Sequence, residues 1–409
     1  MEKLLHYVWK HRLLPSKVFS TTDGRPVRVL DPGRHNVNQG PDFLDARIEL
    51  DGIVWAGNIE IHTFSGDWYA HKHHLDPVYN TTILHVVECA NRDIYTENST
   101  QVPQVVLSVP LDVQNGYAEL LATTDYPRCH KFLPNIPSIK VHAWFDALLA
   151  ERLELRSQKI LSMLRDNCGD WEKTTFVVLA RNFGFGLNGD AFEMWAKNIP
   201  LSAAAKHRDN LFQIESMFLG MAGLIEKVGD EQLCHRLQTE YKFLQNKFNL
   251  SSPPMLLSMW QYLRTRPQNF PHVRIRQLAR LFSEGKCGVR ALLEYDTINE
   301  IELLFTAMGI SKGSCRLIII NTIVTLLFAY GIYHSNHEYR LRAIIFLEQL
   351  PSENNRILRQ WQECGLRVGS AFDSQALLQL KKEYCEPTKC LECRFGFEYL
   401  SNRMKNDEC

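Results

Sequence analysis

Two carboxylates and a histidine on neighbouring predicted strands are the residues of this chain best suited to chemistry. Asp42 occurs in the sequence GPDF and Glu60 in the sequence NIEIH, where His62 follows two positions later. Side chains two apart lie on the same face of a strand, so Glu60 and His62 would point the same way. Because hard cations prefer oxygen ligands, Asp42 and Glu60 are predicted to hold Mg²⁺ or Mn²⁺ against a phosphate. His62 can donate a hydrogen bond or act as a base near neutral pH.

A second group of polar side chains lies near these residues in the sequence. Its members are Asn38, Gln39, Asp67, His71, His73 and His85. The histidines after Asp67, together with His62 and His85, would suit a transition-metal ion, because imidazole is a good ligand for such ions. This pattern leaves open a His-rich metal-dependent hydrolase that acts on another substrate.

The elements that must position these residues are predicted in the order helix, three strands, connection, strand. Apolar residues at helical spacing predict a helix over residues 3–14, and alternating apolar residues predict the strands. The predicted strands cover residues 27–30, 43–50, 53–62, 82–88 and 102–109. Asp51-Gly52 is a strong hairpin turn, which folds the second strand back beside the third and brings Asp42 toward Glu60.

The character of the sequence changes near residue 137, where alternation disappears and helical periodicity takes over. We therefore predict an α+β fold: a mixed sheet with flanking helices in residues 1–136, followed by a larger all-helical domain in residues 137–409. A length of 409 residues also favours two domains over one.

Three cysteines cluster late in the sequence, with the spacing Cys385-x4-Cys390-x2-Cys393. Three thiols this close predict a loop curled around one metal centre, either a zinc ion or a [4Fe–4S] cluster, and both need a fourth ligand. Cys129 is the preferred fourth ligand, because it would tie this loop to the first domain in a structural role. The other candidates are Cys364 and Cys409.

A basic segment between residues 261 and 290 carries seven Lys and Arg residues against a single Glu. Arg264, Arg266, Arg274 and Arg276 are the predicted nucleic-acid contacts within it, since such clusters bind phosphates. The alternative is a solvated helical face whose charges pair with acidic neighbours.

Overall composition points to no particular partner. Lys+Arg and Asp+Glu both number 46, so attraction to a polyanion must come from local clusters. The first twelve residues lack the apolar core of a secretory signal, and the longest apolar stretch, residues 317–330, is too short to cross a bilayer comfortably. We therefore expect a cytoplasmic protein with no membrane partner.

The order of elements resembles the core of the PD-(D/E)XK nuclease superfamily over about residues 1–110. That core runs helix, three strands, helix, strand, with acidic residues on the second and third strands. The resemblance implies that Asp42 and Glu60 bind metal and that His62 takes the place of the lysine that orients the attacking water. It predicts a metal-dependent, nuclease-like protein acting on phosphodiester bonds of DNA or RNA. The missing lysine leaves open a catalytically inactive nuclease fold that serves as a nucleic-acid-binding or scaffolding module.

The whole sequence also resembles an uncharacterised bacterial domain-of-unknown-function family. The matching blocks are NQGPDF (38–43), GNIEIH (57–62), LHVV (84–87), RNFG (181–184), RPQNFP (266–271) and YCEPTKCLEC (384–393). This resemblance implies a shared architecture without an activity. The cysteine pattern in turn resembles the iron–sulfur branch of RecB-like nucleases, although that branch places its remote cysteine before the nuclease core.

Overall fold

The computed structural model describes residues 2–14, 18–250 and 252–405, and every structural statement below concerns these residues. Cys409, one candidate fourth ligand, lies outside them. The chain forms two compact units. The sheet unit comprises Met1–Val141, Glu363–Leu366 and Leu380–Cys409, and the helical unit comprises His142–Gln362 and Arg367–Gln379. The boundary predicted at residues 136 and 137 stays a prediction.

The sheet unit is built on a mixed, seven-stranded sheet. The strands are β1 (Val18–Ser20), β2 (Pro26–Asp31), β3 (Arg34–His35), β4 (Phe43–Leu50), β5 (Ile53–Phe64), β6 (Thr82–Cys89) and β7 (Gln104–Val106). Their order is β1-β2-β4-β5-β6-β7, with β3 paired to β4. The pairs β2/β4 and β4/β5 are antiparallel, whereas β5/β6 and β6/β7 are parallel. The predicted α+β class, with a mixed sheet early in the chain and helices after it, is confirmed.

A tight hairpin and a bulge fix the register of β4 against β5. Asp51 and Gly52 have φ values of 51° and 79°, as the predicted two-residue hairpin turn requires. At the other end of β4, Phe43 pairs with Ile59 but Ala46 pairs with Gly57, so β4 carries one extra residue. Such a bulge re-aims the strand end, and here it brings the residue before Phe43 opposite the residue after Ile59.

Helices cover the sheet and complete its core. They are α1 (Glu2–Lys10), α2 (Asp67–Ala70), α3 (Leu111–Ala122), the start of α4 (Ser138–Asp166) and α18 (Arg394–Lys405). Leu4, Leu5, Val8 and Trp9 of α1 are buried in one cluster with apolar residues of the sheet. This spacing leaves the opposite side of α1 polar.

The helical unit has an extensive apolar core of its own. After α4 its helices are α5 (Trp171–Phe183), α6 (Gly189–Asn198), α7 (Leu201–Ala205), α8 (Leu211–Ala222), α9 (Glu231–Phe248), α10 (Pro271–Ser283), α11 (Val289–Leu293), α12 (Ile298–Ala307), α13 (Lys312–Ile318), α14 (Val324–Tyr333), α15 (His337–Gln349), α16 (Arg356–Glu363) and α17 (Ala371–Leu380). Among the described residues, the continuous helix Lys312–Tyr333 is long and apolar enough to span a membrane, but most of its apolar stretch is buried in this core.

Candidate metal centre

The β4/β5 register brings the two predicted carboxylates together. The Asp42 backbone N–H donates a hydrogen bond to Glu60 Oε2 (3.1 Å), and the Ile61 N–H donates one to Asp42 Oδ2 (2.9 Å). Each carboxylate therefore has one oxygen fixed by the backbone of the facing strand. Glu60 is buried with 4 % of its surface exposed, while the Asp42 side chain stays 22 % exposed.

Three imidazoles gather beside Glu60. His62 follows it on the same buried face of β5, while His71 and His73 lie in the turn after α2. One ring nitrogen from each histidine lies within 4.8 Å of the other two, an arrangement that could hold a metal ion. His62 and His73 are buried, and His71 is exposed, so the group is open to solvent on one side.

The distances among these ligand atoms match one coordination sphere. Glu60 Oε1 lies 3.2 Å from His73 Nε2 and 3.6 Å from His62 Nε2, and His62 Nε2 lies 3.1 Å from His71 Nδ1. Ligands bound to one ion by bonds near 2.1 Å are about 3.0–3.5 Å apart. Each of these distances fits two ligands of one ion. The three histidines form the group that could hold the ion, and Glu60 borders that group through its contacts with His62 and His73.

Two buried nitrogens support this interpretation. His73 Nε2 and His6 Nε2 have no hydrogen-bond partner among the described residues, although each lies close to a carboxylate oxygen. His73 Nε2 is 3.2 Å from Glu60 and His6 Nε2 is 3.3 Å from Asp42. Buried polar atoms without partners are costly and call for an explanation. A cation between the ring nitrogen and the carboxylate would satisfy both groups.

A hydrogen bond behind His62 sets the orientation of its ring. His62 Nδ1 lies 2.8 Å from His85 Nε2, and Gln104 Nε2 donates to the Arg92 carbonyl (2.9 Å). His85 Nδ1 and the Gln104 amide oxygen have no hydrogen-bond partner among the described residues, and the β6/β7 register pairs these two residues. If His85 Nδ1 carries its proton toward Gln104, His85 Nε2 accepts the proton of His62 Nδ1. The lone pair of His62 Nε2 then faces Glu60 and His71, as a metal ligand requires.

Burial lowers the pKa values of the buried histidines in this group and raises that of the Glu60 carboxyl. Burial, reinforced by His85 and the other nearby histidines, lowers the pKa of His62 to about 2. Burial also lowers the pKa of His85 to about 3, against the neighbouring Gln104 side chain, which raises it. Burial and then the charge of Asp42 raise the pKa of Glu60 to about 9. A bound cation would favour the ionised Glu60 and keep the histidines neutral.

A cleft of about 660 Å³ leads to Asp42. Its lining includes the polar side of α1, with Lys3, His6 and Lys10, and the later residue Lys389. Burial lowers the pKa of His6, but the Asp42 carboxylate, 3.3 Å from its Nε2, outweighs this effect and raises the pKa overall. The lining of the cleft therefore combines three lysines and His6 with the carboxylates of Glu2, Asp42 and Glu392.

A family model described as "Protein of unknown function (DUF2851)" matches residues 2–309 and 306–356 of the chain. The chain belongs to this family. No curated protein and no solved structure matches it. The predicted membership of a domain-of-unknown-function family is confirmed. The description of the DUF2851 family assigns no activity to the site described above.

The other polar residues predicted near the site have different surroundings in this DUF2851 chain. Asn38 lines the cleft, and Gln39 is exposed on the same loop. Asp67 begins α2, and its Oδ2 accepts the Phe64 N–H (3.0 Å). Asp67 thus shapes the turn that carries His71 and His73, whereas Asn38 and Gln39 belong to the approach to Asp42.

Two residues of the site were not predicted from the sequence, His6 and Gln104. The sequence does contain a signal for His6, because Lys3, His6 and Lys10 follow helical spacing on the side of α1 away from its apolar residues. The sequence contains no such signal for Gln104, because its role depends on the pairing of β7 with β6.

The four predicted cysteine ligands lie together in the sheet unit. Cys129, Cys385, Cys390 and Cys393 line one small cavity. Cys364, the other described candidate, is not among the residues that line it.

The four predicted nucleic-acid contacts do not form one exposed patch in the helical unit. Arg264 and Arg266 are exposed and line a cavity of about 830 Å³. Arg276 pairs with Glu215 (3.2 Å). Arg274 is only 1 % exposed, and its guanidinium donates to the Gln277 side chain (2.8 Å). In this structure Arg274 supports the interior, whereas Arg264, Arg266 and the ion-paired Arg276 are exposed.

Proposed function

We propose that the sheet unit is a metal-dependent hydrolase of the nuclease type, acting on phosphodiester bonds of DNA or RNA. The observation that carries the proposal is the convergence of His62, His71 and His73 on one point, with Glu60 beside two of them and Asp42 hydrogen-bonded to Glu60. A transition ion such as Mn²⁺ or Zn²⁺ suits this set better than Mg²⁺, because the three grouped ligand atoms are imidazole nitrogens.

The order and direction of the strands support the nuclease-like part of the proposal. β2, β4 and β5 form an antiparallel meander, α2 follows, and β6 returns parallel to β5. Asp42 immediately precedes the second of these strands and Glu60 lies on the third, which agrees with the placement that the resemblance implies. His62 differs from the lysine of that superfamily in being neutral, since its pKa is lowered by burial to about 2. We therefore assign His62 the role of a metal ligand instead of a fixed cation.

The residues around the ion would divide the remaining work. A divalent ion held by Glu60 and the three histidines would act as a Lewis acid and lower the pKa of water. Asp42 connects this site to the cleft, because it contacts Glu60 and lines the cleft. His6 lies 3.3 Å from Asp42 on the cleft wall, where it can donate a proton to a phosphate oxygen or a leaving group. Lys3 and Lys10 would attract the phosphate backbone.

Metal titration followed by cleavage assays tests the proposal. Mn²⁺, Zn²⁺ and Mg²⁺ are titrated calorimetrically into the wild type, Glu60→Gln and His73→Gln, with the exposed His235→Gln on α9 as a matched control. We expect Mn²⁺ or Zn²⁺ to bind the wild type and the control alike and to bind both site variants at least tenfold more weakly. Equal binding by all four proteins would refute the metal site.

Cleavage then separates an enzyme from an inactive module. We expect the metal-loaded wild type to cut single-stranded DNA, duplex DNA or RNA, and Asp42→Ala to lose this activity. The neutral His62 favours the second candidate, a nuclease fold that binds nucleic acid without cutting it. Metal binding and nucleic-acid binding without cleavage in any of the three substrates would select that candidate.

A further inference from the structure

Four cysteines that are far apart in the sequence surround one cavity in the sheet unit. Cys129, Cys385, Cys390 and Cys393 line a mostly apolar space of about 20 Å³. None of the four takes part in a disulfide. Cys129 and Cys390 pack against the apolar core of the sheet unit.

Local structure fixes Cys129 in place. Its neighbour Arg128 donates hydrogen bonds through Nη1 to the carbonyl oxygens of Leu120 (3.0 Å), Leu121 (2.7 Å) and Thr123 (2.9 Å). These carbonyls end α3, so Arg128 caps the helix while it holds the cysteine beside it. Arg128 also supplies a positive charge next to Cys390, whose pKa it lowers against the larger effect of burial.

The other three cysteines lie in one compact segment, residues 385–393, which we call the knuckle. Cys385 ends a π-helical turn, Lys381–Cys385, and such turns often occur at functional sites. Cys390 begins the short 3₁₀ helix Cys390–Glu392, and the Cys393 N–H donates to the Cys390 carbonyl (3.3 Å). Gly396 allows the close approach of this knuckle, since a Cβ there would lie 2.0 Å from the Cys390 carbonyl oxygen.

The spacing of the sulfur atoms distinguishes between two thiolate-bound metal centres. Among the described residues, no three of these cysteines have sulfur atoms that all lie within 4.8 Å of one another. A single zinc ion would draw all four sulfurs to about 2.3 Å from one point, and so to less than about 4 Å from one another. A cubane cluster has its four irons between the centre and the cysteine sulfurs, and therefore needs the wider arrangement.

We propose that Cys129, Cys385, Cys390 and Cys393 bind one [4Fe–4S] cluster that fastens the loop 386–392. This loop also forms a wall of the cleft at Asp42, which Pro387, Thr388 and Lys389 line. The cluster is thus a structural centre, and its loss would loosen that wall. The inference does not depend on the proposed hydrolase activity, because it rests on the cysteines and the loop alone.

Metal analysis of the anaerobically purified wild-type chain tests the cluster directly. We expect about four iron atoms and four sulfides per chain, with the broad visible absorption of an iron–sulfur cluster. Stoichiometric zinc without iron would overturn the cluster. A metal-free protein in which all four thiols react with an alkylating reagent would overturn the whole site. Because this measurement uses the wild type, it stays decisive even if cysteine variants fail to fold.

Two variants and one exchange measurement assign the ligands and the loop. Cys129→Ser should lose most of its iron, whereas Cys168→Ser, at an exposed cysteine in the helical unit, should keep it. Full iron in Cys129→Ser would exclude the fourth ligand. Amide hydrogen exchange in residues 386–392 should be at least tenfold faster in Cys129→Ser than in Cys168→Ser. Equal exchange in two variants of different iron content would refute the fastening of the cleft wall.

Discussion

Replacing His85 by leucine tests whether a residue that cannot touch the ion nevertheless controls its binding. His85 is fully buried, and its Nε2 lies 2.8 Å from His62 Nδ1. In His85→Leu, His62 Nδ1 loses its partner and nothing holds the tautomer that presents Nε2 to the ion. Loss of such outer partners lowers metal affinity by about 10- to 100-fold, or about 1.4–2.7 kcal/mol.

The assay is calorimetric titration of Mn²⁺ or Zn²⁺ into His85→Leu, His85→Gln and the wild type at one pH. A glutamine carbonyl can accept the His62 Nδ1 proton, so His85→Gln should retain more affinity than His85→Leu. His235→Leu, at an exposed histidine, is the control and should bind as the wild type does. Melting curves must show that His85→Leu is folded. A folded His85→Leu whose metal affinity is within twofold of the wild type would refute the role of His85 in orienting the His62 ring.

Three further outcomes follow from particular contacts. Burial and then Lys10 lower the pKa of His11 to about 4. Between pH 6.5 and 4 the unfolded chain therefore binds more protons than the folded chain, so acidification should lower the free energy of unfolding of the sheet unit by about 1–2 kcal/mol. In urea titrations, His11→Gln should make this free energy depend less on pH. Gly396→Ala should lower the iron content, because its Cβ would meet the Cys390 carbonyl oxygen; unchanged iron would contradict the knuckle geometry. Lys173 Nζ donates to two carbonyls at the end of α6 (3.0 and 2.7 Å). Lys173→Met should therefore destabilise the helical unit by about 1–3 kcal/mol, which thermal melts can measure. An unchanged melting temperature would show that water replaces the lysine at these carbonyls.

Strand positions with a strong local signal could be predicted from the sequence. The prediction for residues 43–50 coincides with β4, and that for 53–62 differs from β5 by two residues at one end. Alternating apolar residues and the Asp51-Gly52 turn both act locally, so they specify these strands without knowledge of the fold. β1 and β3 were not predicted, because strands of three and two residues carry too little pattern.

The site itself was predicted only in part, because its assembly depends on long-range pairing. Asp42, Glu60 and His62 stood out by residue type and strand order. The tautomer relay through His85 and Gln104 requires knowing that β6 and β7 are parallel neighbours in one register. The burial of Arg274 could not be predicted from the sequence either, because a charged residue on a helix is usually solvated. Its hydrogen bonds and its position over the Phe185 ring stabilise the buried guanidinium.

The composition of the sheet unit also constrains the order in which the chain can fold during synthesis. This unit takes residues up to Val141 and then the segment from Leu380 onward, which includes three of the four cysteines and α18. On α18, Leu400 is fully buried in the sheet core, and Tyr399 donates to Glu119 of α3 (2.9 Å). Ribosomes add about 5–20 residues per second, so roughly ten seconds or more pass between the synthesis of the sheet strands and the synthesis of the segment from Leu380 onward. During that interval the strands, the histidine-rich site and Cys129 are exposed to chaperones, to competing metals and to oxidation, whereas the helical unit can fold as soon as it is made.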